Sequence, residues 1–269
     1  MFATCGDDGI RIWELGTGKQ LLHIPEDGCV VAECLDFSHD GKMILSGWSD
    51  GCIRVHTPET GKVVFVAQGV HPCGVSAMYI LASGNISSGL LTGGKDGQMR
   101  SWKMPSMYSM QQRVIGKPSL LMTVKDHTAA IVKIHVTKDQ CECITASKDG
   151  SCIIWDIRKY VQNKFFFVLL TRYRQYQLKV YPILFFSLQS IFRRQILHAT
   201  WALVSAVYHP SECQVLTLAL DAQLCYWEVV DGKEIRHLVL GKHSTVTALD
   251  VSHDGEAFIT ATDSSLIKV

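Results

Sequence analysis

Charge is scarce in this chain, and acidic charge is missing from one long stretch of it. Lys, Arg, Asp and Glu make up 19% of the 269 residues, against 47% apolar ones. That balance excludes a disordered or solvating chain and calls for a large buried core. Between Asp156 and Glu212 there is no acidic residue, while eight basic ones occur: Arg158, Lys159, Lys164, Arg172, Arg174, Lys179, Arg193 and Arg194. The rest of the chain carries 18 basic against 25 acidic groups, too acidic for a nucleic-acid binder.

The chemistry-bearing motifs are missing too. Ten cysteines are scattered singly, with Cys141 and Cys143 the one close pair and no C-x-x-C. Nothing at the start reads as a secretory leader, so a reducing compartment is expected, with most thiols acting as small core residues. The eleven histidines fall at separate places and never at i, i+4, which argues against a metal site. G-x-S-x-G, G-x-x-x-x-G-K-[ST] and H-E-x-x-H do not occur, leaving no candidate for catalysis and no cofactor or small-molecule substrate to expect. Gly93-Gly94-Lys95-Asp96-Gly97 looks like a phosphate loop only superficially, because Asp96 and Gly97 belong to a turn described next.

What is present is a repeat. Ile144 to Asp156 reads as strand, tight turn, strand: Thr145, then Asp149-Gly150 four residues on, then a β-branched run ending at Trp155 six residues beyond the Asp. The same grammar runs from Leu91 to Trp102 with Thr92, Asp96 and Gly97. It returns from Leu216 to Trp227 with Thr217 and Asp221, and from Phe2 to Trp13 with Asp7. From Leu45 to His56 it has Ser46, Asp50 and Gly51 but a His at the Trp position. A sixth copy opens at Ile259 with Thr260 and a Ser264 where Asp is expected, and the chain stops at Val269, one residue short of the Trp position. A period of roughly 40 to 45 residues with a strand-turn-strand core is the mark of a β-propeller. An all-β fold of about five to six four-stranded blades is therefore expected, as an incomplete ring whose first blade begins midway and whose last is cut short.

These residues resemble the WD40 family over nearly the whole chain. The resemblance implies a buried network in each blade, in which a His ahead of the first strand, the hydroxyl, the turn Asp and the Trp bond to one another. In blade three these are His71, Thr92, Asp96 and Trp102; in blade four, His127, Thr145, Asp149 and Trp155. Blade five offers Thr217, Asp221 and Trp227 without an obvious His, blade two offers Ser46 and Asp50, and the sixth copy has His243 without the Asp.

The spacing from Trp155 to Trp227 is 72 residues where 43 is the shorter step, and the excess falls near Tyr160 to Gln195. The chain accordingly divides into blades over 1–159, an interruption at 160–195, and blades over 196–269. The longest uncharged run in the interruption, Val180 to Phe192, has 13 residues, short of the roughly 20 needed to span a bilayer. A segment foreign to the fold, such as translated intron, is the favoured reading; a helical or hairpin insertion is the alternative. Met104 to Pro118 reads as a surface loop whose Met107 and Met110 are candidate partner contacts; Trp48, beside the turn of blade two, reads first as core packing and otherwise as a partner contact.

Within the WD40 class, Ile44 to Gly51, Thr57 to Lys62, Cys152 to Asp156, Tyr208-His209-Pro210 and Tyr226 to Gly232 resemble ciliary WD-repeat proteins of the cilia- and flagella-associated group. The resemblance implies a non-catalytic scaffold inside axonemal doublet microtubules of the cilium or flagellum. It would support motility and contact tubulin and other axonemal inner proteins, with no nucleic acid and no membrane as partners. A WD40 receptor or scaffold in another multisubunit complex, such as a ubiquitin ligase or a trafficking coat, is the other reading.

Overall fold

Strand follows strand along this chain. The computed structural model describes residues 1–26, 29–81, 89–104, 114–116, 118–158, 191–240, 245–263 and 267–269. The first sheet is β1 (Phe2–Gly6), β2 (Gly9–Trp13) and β3 (Gln20–Ile24); the second holds β4 (Ala32–Phe37), β5 (Ile44–Trp48), β6 (Ile53–His56) and β7 (Val63–Ala67). The third is β8 (Val75–Leu81), β9 (Gly89–Gly94) and β10 (Met99–Lys103), then, after a short β11 (Val114–Gly116), β12 (Ser119–Val124). The fourth is β13 (Ile131–Val136), β14 (Glu142–Ser147), β15 (Ser151–Asp156) and β16 (Phe192–His198). The fifth is β17 (Leu203–Tyr208), β18 (Gln214–Ala219), β19 (Gln223–Glu228) and β20 (Glu234–Val239), and the last is β21 (Val246–Val251), β22 (Phe258–Thr262) and β23 (Ile267–Lys268). Neighbouring strands of each sheet pair antiparallel, as in Trp102 opposite Leu90 and Trp155 opposite Cys143, except β11, which joins the second sheet parallel to β7. The expected all-β blade architecture is what the described residues form.

Tight turns hold the strands in register. Gly51 has φ of +77°, and a Cβ there would lie 1.8 Å from the carbonyl oxygen of His71. Only glycine lets the second sheet's turn reach this backbone, where Val70 N–H donates to Gly51 O at 3.0 Å.

By contacts the chain divides into two units. One is Met1–Ile134 with Ser147–Asp149; the other is His135–Ala146 with Gly150–Val269. In the first, Val55, Phe65, Val75, Leu90, Trp102 and Met104 share one buried cluster, and Ile10, Ile24, Ala32 and Trp48 another. In the second, Val207, Leu216, Leu224, Tyr226, Val246 and Leu249 pack together. Within a cluster the members of one strand stand two apart, as Phe65 and Ala67 or Leu224 and Tyr226 do, while strands such as β5 and β9 are buried on both faces.

Three expectations change. Phe192 to Gln195, placed in the interruption, stand instead in β16, where Phe192 pairs with Asp156 and Arg193 with Trp155; residues 160–190 of that segment lie outside the described residues. Met104 is core, at 1% exposure. Of the cysteines, Cys143, Cys152 and Cys225 are buried, while Cys29, Cys73 and Cys213 are exposed, because the latter sit in connections outside the strands.

Candidate functional site

The third sheet assembles the polar network in full. His71 stands four residues ahead of β8 and is wholly buried. Its Nδ1 lies 3.2 Å from Asp96 Oδ1 and its Nε2 2.9 Å from Thr92 Oγ1. Trp102 donates its indole N–H to the same hydroxyl at 2.9 Å. Asp96 sits in the β9–β10 turn and accepts the N–H of Gln98 at 3.2 Å; Arg100 reaches its other oxygen at 3.4 Å. Burial pushes His71 down to about 4, against the upward pull of Asp96 and with the Arg100 charge adding to the lowering. The ring is therefore neutral at physiological pH. Gly93 to Gly97 are this turn, with Gly97 N–H donating to Gly94 O at 3.1 Å.

The other sheets carry the pattern with parts exchanged. His127 Nδ1 lies 3.2 Å from Asp149 Oδ2, which also accepts Thr128 N–H at 2.8 Å, and Trp155 donates to Thr145 at 2.8 Å. Trp227 donates to Thr217 at 2.7 Å, and Trp13 to Thr4 at 2.9 Å. Thr4 went unnamed in the sequence because it lies three residues before Asp7 instead of four. Four residues ahead of β17 comes Ala199, where His71 and His127 stand ahead of β8 and β13. Asp221 accordingly binds Gln223 N–H with one oxygen, while its buried Oδ2 has no hydrogen-bond partner among the described residues. In the last sheet Thr260 Oγ1 is likewise buried without one, and Asp263, one residue before Ser264, accepts the hydroxyl of Thr245 at 2.6 Å. Ser264 and His243 lie outside the described residues.

The second sheet solves the same problem from another position. His56 occupies the Trp site and is buried, yet the indole comes from Trp48, whose Nε1 donates to Ser46 Oγ at 2.8 Å. Ser46 and Trp48 are two apart on β5 and so share a face. Arg54 lies 4.6 Å over the Trp48 ring and bridges Asp50 at 2.8 Å and Glu26 at 3.1 Å. Trp48 is fully buried against Ile10, Ile24 and Ala32. The core reading of Trp48 therefore holds, and its alternative as a partner contact falls, since the ring offers no surface. Met107 and Met110 lie outside the described residues.

The sequence profile of the WD domain, G-beta repeat, matches residues 19–57, 118–156 and 232–269. These are WD40 repeats. The chain is 30% identical over all its 269 residues to human cilia- and flagella-associated protein 52, of which it covers 36%. It is 34% identical, again over its whole length, to the Chlamydomonas reinhardtii protein of that name, covering 37% of it. The chain thus spans little more than a third of the curated relatives it matches. A solved chain in the crystal structure of a mitotic checkpoint complex superposes with TM-score 0.69 over 98% of this chain and 70% of its own, at 14% identity. That likeness speaks for the β-propeller fold alone.

The networks tie the strands of their sheets together, and the chain is similar over its whole length to proteins named for cilia and flagella. Among the described residues no three His, Cys, Asp or Glu side chains are placed to hold a metal ion, and no helix is long and apolar enough to cross a membrane. Burial pushes the Cys152 thiol up to about 12, and Cys34 and Cys143 higher, so these thiols stay protonated. Large apolar side chains do reach solvent: Trp201 is 60% exposed and Val230 71%. What the arrangement can do is present loops and edges on a fixed frame.

Proposed function

We propose that this chain is a non-catalytic WD40 scaffold of the ciliary or flagellar axoneme. It is bound as an inner protein within doublet microtubules, where it contacts tubulin and neighbouring inner proteins and supports motility. The observation that carries the reading is the similarity, over the whole chain, to cilia- and flagella-associated protein 52 of both a human and a green alga. Support comes also from the WD40 networks, whose polar groups are spent on one another inside the sheets instead of converging on a reactive centre.

Many partly apolar contacts in a lumen resist salt better than a few exposed ion pairs. Axoneme extraction tests the proposal. The protein is expected to stay with the doublets after detergent and salt remove the dyneins, and to leave when the doublets are broken. Quantitative release into the soluble or membrane fraction would overturn it.

A further inference from the structure

The outer strands of the sheets are alike except for one. All six residues of β20 are exposed, β12 is open over half its length, and β3 and β16 carry exposed polar or charged side chains. In β7, by contrast, Val64, Phe65, Val66 and Ala67 are all buried. Its sequence, Val-Val-Phe-Val-Ala, contains no polar residue. An edge of that composition invites pairing with any strand that meets it.

What covers it is a piece of the same chain. Val114–Gly116 adds as a fifth strand to the second sheet, parallel to β7, with Val114 opposite Phe65, Ile115 opposite Val66 and Gly116 opposite Ala67. Gln68 N–H donates to Gly116 O at 3.3 Å. At Gly116 an added Cβ would sit 3.4 Å from the Phe65 ring, so the ring lies close beside this backbone. Ile115 is 58% exposed. At Ile115 and Gly116 the cover thus meets β7 through backbone and not through a buried side chain.

We propose that the β7 edge is a strand-accepting site for an extended, β-branched apolar segment of a partner protein, held closed here by Val114–Gly116. The occupant's chemistry is read from the one present: Val-Ile-Gly fits, in extended form, along an apolar edge. A partner strand long enough to pair with all five residues of β7 would make more ladder bonds than the three-residue cover and would displace it. The closed form lowers the partner's apparent affinity by the fraction of molecules that are open. The site does not depend on the ciliary reading.

The test uses the full chain and a fluorescent peptide of residues 112–118, Gln-Arg-Val-Ile-Gly-Lys-Pro. Gly116→Pro removes the backbone N–H that faces β7, on the same side as the Gly116 carbonyl that accepts from Gln68. The peptide is expected to bind the Gly116→Pro chain at least about tenfold more tightly than the unaltered chain, and a peptide with Pro in place of its Gly to bind neither. Equal binding, or none, to a variant that melts like the parent would overturn the proposal. Should the variant not fold, hydrogen exchange on the unaltered chain decides. The Gln68 amide is expected to exchange at least about tenfold faster than the β5–β6 ladder; exchange at the same rate as that ladder would overturn it.

Discussion

The second and third sheets carry the same repeat and satisfy it differently. In the third, a His, a Thr, an Asp and a Trp drawn from four places close a circuit around His71. In the second the His is missing and the Trp position holds His56, yet an indole still meets the hydroxyl, from Trp48, with Arg54 stacked on its ring and tied to Asp50. The hydroxyl needs a donor and the turn carboxylate needs a cation or N–H; which residue supplies them is free. The difference teaches that these two sheets satisfy the same polar groups with different residues.

The comparison can be broken most directly at the two indoles. Trp48→Ala and Trp102→Ala are each expected to cost about 3–5 kcal/mol in chemical denaturation, because both rings are buried and leave cavities. A Trp48→Ala chain that melts like the parent would restore Trp48 as a surface contact.

Acid separates the sheets next. The folded His71 lies near 4, below the unfolded value of 6.5, so the unfolded chain binds more protons between those limits. Its contribution is therefore present above pH 6.5 and is lost as pH falls toward 4, by a few kcal/mol. The second sheet has no His four residues ahead of its first strand. Burial tends to raise Asp50, but hydrogen bonds from Arg54 and Cys52 outweigh it and hold the carboxyl below 3.8, so its contribution is lost only as pH falls below the ordinary carboxylate range. Indole exchange followed by NMR should show Trp102 losing protection between pH 6.5 and 4 while Trp48 holds; parallel loss would contradict the account.

Removing the turn carboxylates sharpens the contrast on a smaller scale. Asp96→Ala strands a buried His and is expected to cost roughly 1–3 kcal/mol. Asp50→Ala removes a more exposed ion pair and should cost about 1 kcal/mol or less. Equal losses in thermal melts would mean that the His adds nothing.

The smallest effect is a gain in the fifth sheet. Ala199→His places a ring 22 residues before Asp221, the separation of His127 from Asp149, where Asp221 Oδ2 has no partner among the described residues. About 1 kcal/mol of added stability is expected. No gain from the histidine, with the fold intact, would show that the orphan oxygen is not the vacancy of a His.

Much of this was legible before any coordinates. Thr or Ser, Asp-Gly and Trp at fixed offsets located the central hairpin of each blade, since those offsets are set by the two-residue alternation of strands and a short turn. The networks of the third and fourth sheets could be named because each member stood at its usual offset. Core packing is the favoured reading of Trp48 and holds, but its bond to Ser46 does not follow from the repeat's offsets; the signal lies in a missing Trp at 56 and an indole on the same face as Ser46. β11 could not be read, as a parallel pairing between residues some fifty apart leaves no local pattern. β16 was hidden because no Thr-Gly-Lys turn announces it, unlike β3 and β7.

The scaffold proposal itself is tested most directly by seeing where the protein sits. Cells whose copy carries a compact tag at an exposed turn, such as Asp40-Gly41, would be used to image isolated doublets by electron cryomicroscopy. The account predicts periodic tag density on the lumenal wall, absent from doublets of untagged cells. Tag density confined to the outer surface, or none on doublets that retain their other inner proteins, would contradict it.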